Sequence, residues 1–233
     1  MTETAETTET AETTETAERA RADGATEGAA ERVTIHHDVA HPEAFTREPL
    51  GWLPWLTPLR EDELTERHYE GLVEPARAKN EYFALLARDP EVLGARTRTD
   101  LDIFYNTDGG LPRAERELAA AATSRVNGCV FCASVHARLA VKESDRAEDV
   151  DRLLADGVTT ELDPRWNAIV AAAAALTATP PAFDGTHVRA LRDAGLADEE
   201  IVDVINGSAF FNWANRLMLS LGEPKLPRRR ASA

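Results

Sequence analysis

RAERELAAAATSRVNGCVFCASVHARLA, residues 113–140, decides the fold. Small and apolar residues recur through both halves at helical spacing, and Asn127-Gly128 interrupts the run where a left-handed helix C-cap belongs. Helices joined by so short a break make an antiparallel hairpin. With Cys129 set at zero and about 100° per residue, Cys132 falls at about 300°, His136 at about 340° and Ala140 at about 20°. Both sulfurs and the imidazole therefore share one narrow, otherwise apolar face, which points inward. Glu117 lies about ten residues before the break and His136 about eight to nine after it, so antiparallel arms at about 1.5 Å rise per residue bring them to the same height. A carboxylate within reach of an imidazole fixes its tautomer and raises its basicity. Glu115, the alternative partner, projects farther from the face of Ala114, Leu118, Ala121 and Ala122.

These residues together form a dithiol with an acid/base pair. Cys129 at a helix N-terminus has backbone N–H groups beside it that favour the thiolate, and Cys132 stands one turn from His136 as its base. That is the set thiol redox chemistry needs. Three readings compete with it. A structural disulfide across two intervening residues removes little unfolded-state entropy. Zinc on Cys129, Cys132, His136 and Glu117 lacks the second knuckle of a structural site. Two inert core cysteines beside a satisfied histidine remain the third.

Outward from this hairpin the chain stays helical. Periodicity and punctuation predict helices over Asp62–Val73, Ala76–Arg88, Pro90–Asn106, Pro112–Val126, Cys129–Glu143, Arg146–Ala155, Pro164–Ala178, Thr186–Ala194 and Asp198–Leu221. Asp89-Pro90 and Asp163-Pro164 place a capping acid before a proline at the first helical position, while Asp156-Gly157 and Gly195 sit where C-caps belong. No alternating strand pattern appears, so the class is all-α. The helix from Asp198 is apolar nearly all round: Ser208, Asn212 and Asn215 sit in one apolar face, as interhelical hydrogen-bonding groups or a polar lining for the thiol pocket. Phe210, Trp213 and Leu217 form the other face, which we expect a second subunit to cover in part. The run Ala171–Ala175 suggests close helix contact, though propensity alone explains it as well.

The ends read differently. Residues 1–32 carry three near-copies of a Thr-Glu-Thr-Ala-Glu-Thr hexad and nine acids, and no aromatic or branched aliphatic side chain, which predicts a disordered acidic tail. Residues 33–61 hold Pro42, Pro49, Pro54 and Pro58 among Phe45, Trp52 and Trp55, as expected of an irregular but ordered arm. His36, His37, Asp38 and His41 there lack a further ligand at metal-site spacing. The helical domain runs over 62–222, and a basic tail over 223–233 contains Arg228, Arg229 and Arg230. The formal charge of −15 argues against nucleic-acid or anionic-membrane partners. No apolar run spans a membrane and the N-terminus lacks the basic and apolar pattern of a signal peptide, so the expected location is the cytoplasm.

The stretch from Arg113 to Ala140, running Arg-Glu, a small apolar helix, then Asn-Gly-Cys-x-x-Cys-x-x-x-His, resembles the signature of the AhpD-like alkylhydroperoxidases of the carboxymuconolactone decarboxylase superfamily. The region Ala194–Gly222 is similar to that family's closing helix. The resemblance implies a cofactor-free, all-helical homo-oligomer, trimer or hexamer, that reduces hydroperoxides. It implies that Glu117 and His136 relay a proton to Cys132 and that Cys129 closes the disulfide. A dithiol reductant, lipoyl-type or thioredoxin-like, then restores both thiols. Phe131 stands where the typical family member has another histidine. Thioredoxin-like motifs place the attacking thiol first, which would favour Cys129. Beside the peroxidase stand two alternatives: acid/base decarboxylation or lactone chemistry that needs no dithiol, and a non-enzymatic redox-sensing oligomer.

Overall fold

The structure, a computed structural model, describes residues 33–227; the acidic repeat through residue 32 and the arginine cluster at 228–230 lie outside the described residues. The helices are α1 (Glu66–Leu72), α2 (Glu81–Leu86), α3 (Pro90–Tyr105), α4 (Arg113–Asn127), α5 (Val130–Ser144), α6 (Ala147–Asp156), α7 (Pro164–Thr177), α8 (Gly185–Asp193) and α9 (Asp198–Leu221). Single turns of 3-10 helix occupy Glu61–Glu63 and Pro75–Lys79. Two short strands, β1 (Gly51–Pro54) and β2 (Gly222–Lys225), pair antiparallel with Gly51 opposite Lys225 and Pro54 opposite Gly222. The all-α class holds, with that small sheet added.

The punctuation acts as its chemistry requires. Asp163 caps α7 by accepting from the backbone N–H of Arg165 and Trp166, and Asp89 caps α3 at Val92. The expected helix Ala76–Arg88 is instead divided at Asn80, whose Oδ1 accepts from the N–H of Tyr82 at 3.0 Å and starts α2. An asparagine side chain that competes for backbone N–H groups ends one turn and begins the next.

Helix α4 is the centre of the bundle. Its alanines (Ala119, Ala121, Ala122) and Leu118 are fully buried against Ala133, Ala137 and Ala140 of α5, Ile169 and Ala173 of α7, and Val204 of α9. Alanine on both sides lets helix backbones approach closely, and this is what brings the side chains of α4 and α5 into one site. In the Ala171–Ala175 run, Ala172 and Ala173 are buried and Ala171 is exposed. On α9, Phe210 differs from the expected subunit-facing position: its own chain buries it beside Phe104 and Phe211, while Trp213 keeps 40% of its surface exposed.

The arm and the C-terminal segment meet. Trp55 N–H donates to the Leu221 carbonyl and Leu226 N–H to that of Ala40, both at 2.8 Å. A division at residues 61 and 223 therefore cuts through the sheet. The arm's histidines tie it down: His36 Nε2 donates to the Pro54 carbonyl at 2.8 Å and His41 Nδ1 to that of Pro224 at 3.1 Å. The sheet seats Trp52 over the thiols, in one cluster with Tyr82, Leu85, Cys129, Cys132 and Met218. Gly222 is what lets the strands close, since a Cβ there would lie 2.2 Å from the Leu53 carbonyl oxygen and 2.4 Å from the Trp52 ring. Gly222→Ala is accordingly expected to cost about 1–3 kcal/mol through overpacking. Chemical denaturation compared with wild type checks this, and an unchanged midpoint would show that the sheet is dispensable.

Candidate active site

The α4–α5 hairpin sets the thiols. Gly128, in the left-handed region at φ 77°, ends α4, and the Ser124 carbonyl accepts from Cys129 N–H at 2.9 Å. Cys129 then stands at the N-cap of α5 and Cys132 in its first turn. Their sulfurs are 2.9 Å apart, both cysteines being free and buried. A disulfide needs about 2.05 Å, so the pair closes with little movement.

The two thiols share their protons unequally. Cys129 is held below its ordinary pKa, first by the hydrogen bond from the Cys132 thiol and also by the Cys132 backbone N–H. That same hydrogen bond, burial and the charge on Cys129 push Cys132 well above the ordinary thiol value, with the Asn215 amide and the Arg96 guanidinium pulling the other way. Of the two sulfurs, Cys129 is the one on which negative charge is the less disfavoured. His136 shares the cleft wall with Cys132. Among the described residues no hydrogen bond joins His136 to either sulfur, and the Cys129 sulfur is 2.9 Å from that of Cys132.

The Glu117–His136 contact forms as the hairpin arithmetic requires. His136 Nδ1 donates to Glu117 Oε2 at 2.5 Å, and Glu117 is wholly buried. Its other oxygen accepts from Arg113 Nε at 2.6 Å, while Arg113 Nη1 donates to the Phe104 carbonyl. The imidazole is wedged edge-on against Phe211, 4.0 Å between centroids, and lies 5.4 Å from Phe104. With Nδ1 committed to the carboxylate, Nε2 is the nitrogen left for chemistry. Glu115 is engaged elsewhere, in a bidentate pair with Arg165 at 2.8 Å per bond.

A cleft of about 730 Å³ opens over this arrangement, lined by Cys132, His136 and Glu117 with Trp52, Tyr82, Phe104, Phe131, Phe211 and Met218. Cys132 faces the cleft, and Cys129, 1% exposed, lies behind it. The polar stripe of α9 lies behind the thiols as well. Asn127 Nδ2 donates to Asn212 at 3.0 Å and to Asn215 at 3.1 Å, and Asn215 Nδ2 donates to Ser124 Oγ at 3.1 Å. Ser208 Oγ donates back to the Val204 carbonyl of its own helix.

Sequence reasoning missed four residues here. Arg113 was legible as an i,i+4 partner of Glu117. Arg96, Tyr82 and Trp52 had no local signal, because helix packing and the sheet bring them in from three separate elements. Arg96 lies against the rings of Phe83 and Phe210, its guanidinium carbon 5.6 and 5.3 Å from their centroids.

Among the described residues no helix is long and apolar enough to cross a membrane, and no group of histidine, cysteine and carboxylate side chains has a metal-binding arrangement. Residues 90–175 match the carboxymuconolactone decarboxylase family. No curated protein matches the chain. Among solved structures it is similar to an alkylhydroperoxidase AhpD-core, peroxidase-related protein of Ralstonia eutropha JMP134, with 24% identity and a TM-score of 0.60 over 78% of this chain and 92% of that one. It is also similar to a peroxidase-related protein of Silicibacter sp. TM1040, at 22% identity and TM-score 0.58 over 82% and 95%. A third likeness is to the debrominase Bmp8, at 17% identity and TM-score 0.56 over 70% and 88%. At these identities the structural likenesses carry the fold.

Proposed function

We propose, from the premise that this chain is an AhpD-like member of the carboxymuconolactone decarboxylase superfamily, that it is a cofactor-free thiol peroxidase that reduces hydroperoxides. The observation that carries the reading is the dithiol at 2.9 Å beside the Glu117–His136 pair, with Cys132 on the cleft. Cys132 passes its proton to the Cys129 thiolate and attacks the terminal oxygen of the hydroperoxide. The O–O bond breaks, an S–O bond forms, and the departing alkoxide takes a proton from His136, whose cationic form Glu117 stabilises. Cys129 then attacks the sulfur of the Cys132 sulfenic acid, and water leaves with the Cys129 proton. One dithiol and one hydroperoxide give one disulfide, one alcohol and one water. A dithiol reductant, lipoyl-type or thioredoxin-like, restores the pair by exchange. Such a cycle needs a reducing compartment, so we assign it to the cytoplasm.

Phe131 takes part in the cleft as a wall rather than in proton transfer. The test is a thiol titration before and after one equivalent of hydroperoxide, followed by a screen of dithiol donors. Two thiols lost per peroxide and regained with a donor support the reading. Full decarboxylase or lactone activity in a double Cys→Ser variant would favour the acid/base alternative, and a reversible disulfide without turnover under any reductant would favour the redox sensor.

The assembly we propose is a homo-oligomer, trimer or hexamer. Its support is the apolar surface on α9, where Val202, Trp213 and Leu219 are 53%, 40% and 38% exposed. Size-exclusion chromatography with light scattering is expected to give a multiple of 25.5 kDa, and a clean monomer defeats this assignment.

A further inference from the structure

Three side chains on the cleft wall are left unsatisfied. Trp52, Tyr82 and Arg96 are each more than nine-tenths buried, at 6%, 7% and 8% exposure, and all line the cleft with Cys132. Trp52 Nε1, Tyr82 Oη, and Nε and Nη1 of Arg96 have no hydrogen-bond partner. A buried polar atom without a partner costs about 1–3 kcal/mol, and native interiors tolerate few of them. Here they occur together and beside the reacting sulfur.

Their chemistry is one-sided. An indole N–H and a guanidinium can only donate. Tyr82, its pKa pushed up to about 12 chiefly by burial, keeps its phenolic proton at neutral pH and donates too. The missing group must therefore be an acceptor, and a planar guanidinium prefers a carboxylate, whose two oxygens match its fork. Asp100 forms a long ion pair with Arg96, 3.9 Å from Nη1, that leaves Nε and Nη1 without a hydrogen bond. The other acids on the cleft are Glu81 and Glu117, the latter fully engaged by Arg113 and His136. Lys79 and Lys225 add positive charge to the lining. In a chain of net charge −15 this is a local reversal of sign. The remaining wall, Phe83, Phe104, Phe131, Phe211 and Met218, suits an apolar body.

We propose that Arg96, Tyr82 and Trp52 form a carboxylate-binding site in the cleft, and that the substrate is an organic acid hydroperoxide held there by its carboxylate while its peroxide group reaches Cys132. The substrate half of this proposal rests on the peroxidase reading above, and the binding half does not.

The test begins with binding of an unreactive probe to the reduced full-length chain, followed by Trp fluorescence and calorimetry. Decanoate is expected to bind at least about tenfold more tightly than 1-decanol, which has the same chain without the charge. Arg96→Leu should erase that preference, and Tyr82→Phe should reduce it about three- to tenfold. If Arg96→Leu does not fold, as judged by near-ultraviolet circular dichroism, Tyr82→Phe and Arg96→Lys decide on the same readout. Equal binding of decanoate and decanol by wild type, or a preference that survives in all these variants, overturns the site. That result would mean the donors serve the peroxide oxygen itself or the fold.

The kinetic arm compares kcat/KM for a fatty-acid hydroperoxide with that for cumene hydroperoxide. Wild type is expected to favour the acid, and Arg96→Leu to lower the acid's value at least about tenfold more than the neutral peroxide's. Turnover of both peroxides at equal efficiency overturns the substrate assignment while the peroxidase reading stands. Turnover of neither, with the decanoate preference intact, overturns the peroxidase reading and upholds the anion site.

Discussion

Cys132→Ser is expected to remove hydroperoxide turnover, lowering kcat by about 10⁴-fold or more, because a serine hydroxyl at neutral pH does not replace a thiol as the attacking group. Cys129→Ser should be equally dead in multiple turnover but for another reason. The first half-reaction is slowed, because the thiolate that accepts the Cys132 proton is gone, and the sulfenic acid that does form on Cys132 has no neighbouring thiol to condense with. A dimedone adduct mapped by mass spectrometry to residue 132 in the Cys129→Ser variant, with none in Cys132→Ser, is the expected pattern. The reverse pattern would make Cys129 the attacking thiol. The structure sets these two cysteines against each other in an informative way. Cys129 is the easier thiolate, yet it is buried behind its partner, and Cys132 faces the cleft. We give priority to access because the sulfurs are only 2.9 Å apart, so a proton passes between them over a short distance. In the proposed cycle the Cys129 thiolate accepts the Cys132 proton as the attack proceeds, against the charge on Cys129 that otherwise holds that proton on Cys132.

Glu117→Gln is expected to be the most damaging change outside the thiols. It keeps the shape of the side chain and removes the charge shared by Arg113 and His136. Leaving a buried cation without its counterion costs about 3–5 kcal/mol when both partners are dry. Arg113 has 22% of its side chain exposed, so about 3 kcal/mol of lost stability is the expected result in urea unfolding. Activity falls further than stability explains. A glutamine can present its N–H to Nδ1 and so select the other tautomer, and no longer supports the cationic ring that protonates the leaving alkoxide. A fall in kcat of about 10²- to 10⁴-fold with KM little changed is expected. Glu117→Asp separates the two effects: it keeps the charge, so stability should recover more than activity. A folded Glu117→Gln protein with wild-type kcat would show that His136 needs no carboxylate.

How much of this was legible depended on distance along the chain. The hairpin, its break at Asn127-Gly128 and the Glu117–His136 pair are local and followed from periodicity and arithmetic. The caps at Asp89 and Asp163 were equally local. The strands were not, since each is four residues long, includes a proline and carries no alternating pattern that distinguishes it from loop. Their register is fixed by pairing between opposite ends of the chain. Asn80 was hidden because a helix-like pattern ran straight through it, and only its side-chain bond to the Tyr82 N–H shows that two elements begin and end there. What covers Phe210 was not legible, because α9 is apolar on most sides and a helical wheel cannot say which neighbour comes from the same chain. The donors of the cleft wall are the extreme case. Trp52, Tyr82 and Arg96 lie on β1, α2 and α3, and nothing in their local sequence ties them to a cysteine pair on α5.

Because Trp52 takes its seat over the sulfurs only when β1 finds β2, the order in which the polypeptide leaves the ribosome matters. From residue 132 to residue 225 a translating chain takes roughly 5–20 s at about 5–20 residues per second. Throughout that interval both thiols have been made and their roof has not. The newborn chain's two thiols are therefore most open to oxidation in the interval before the sheet closes over them.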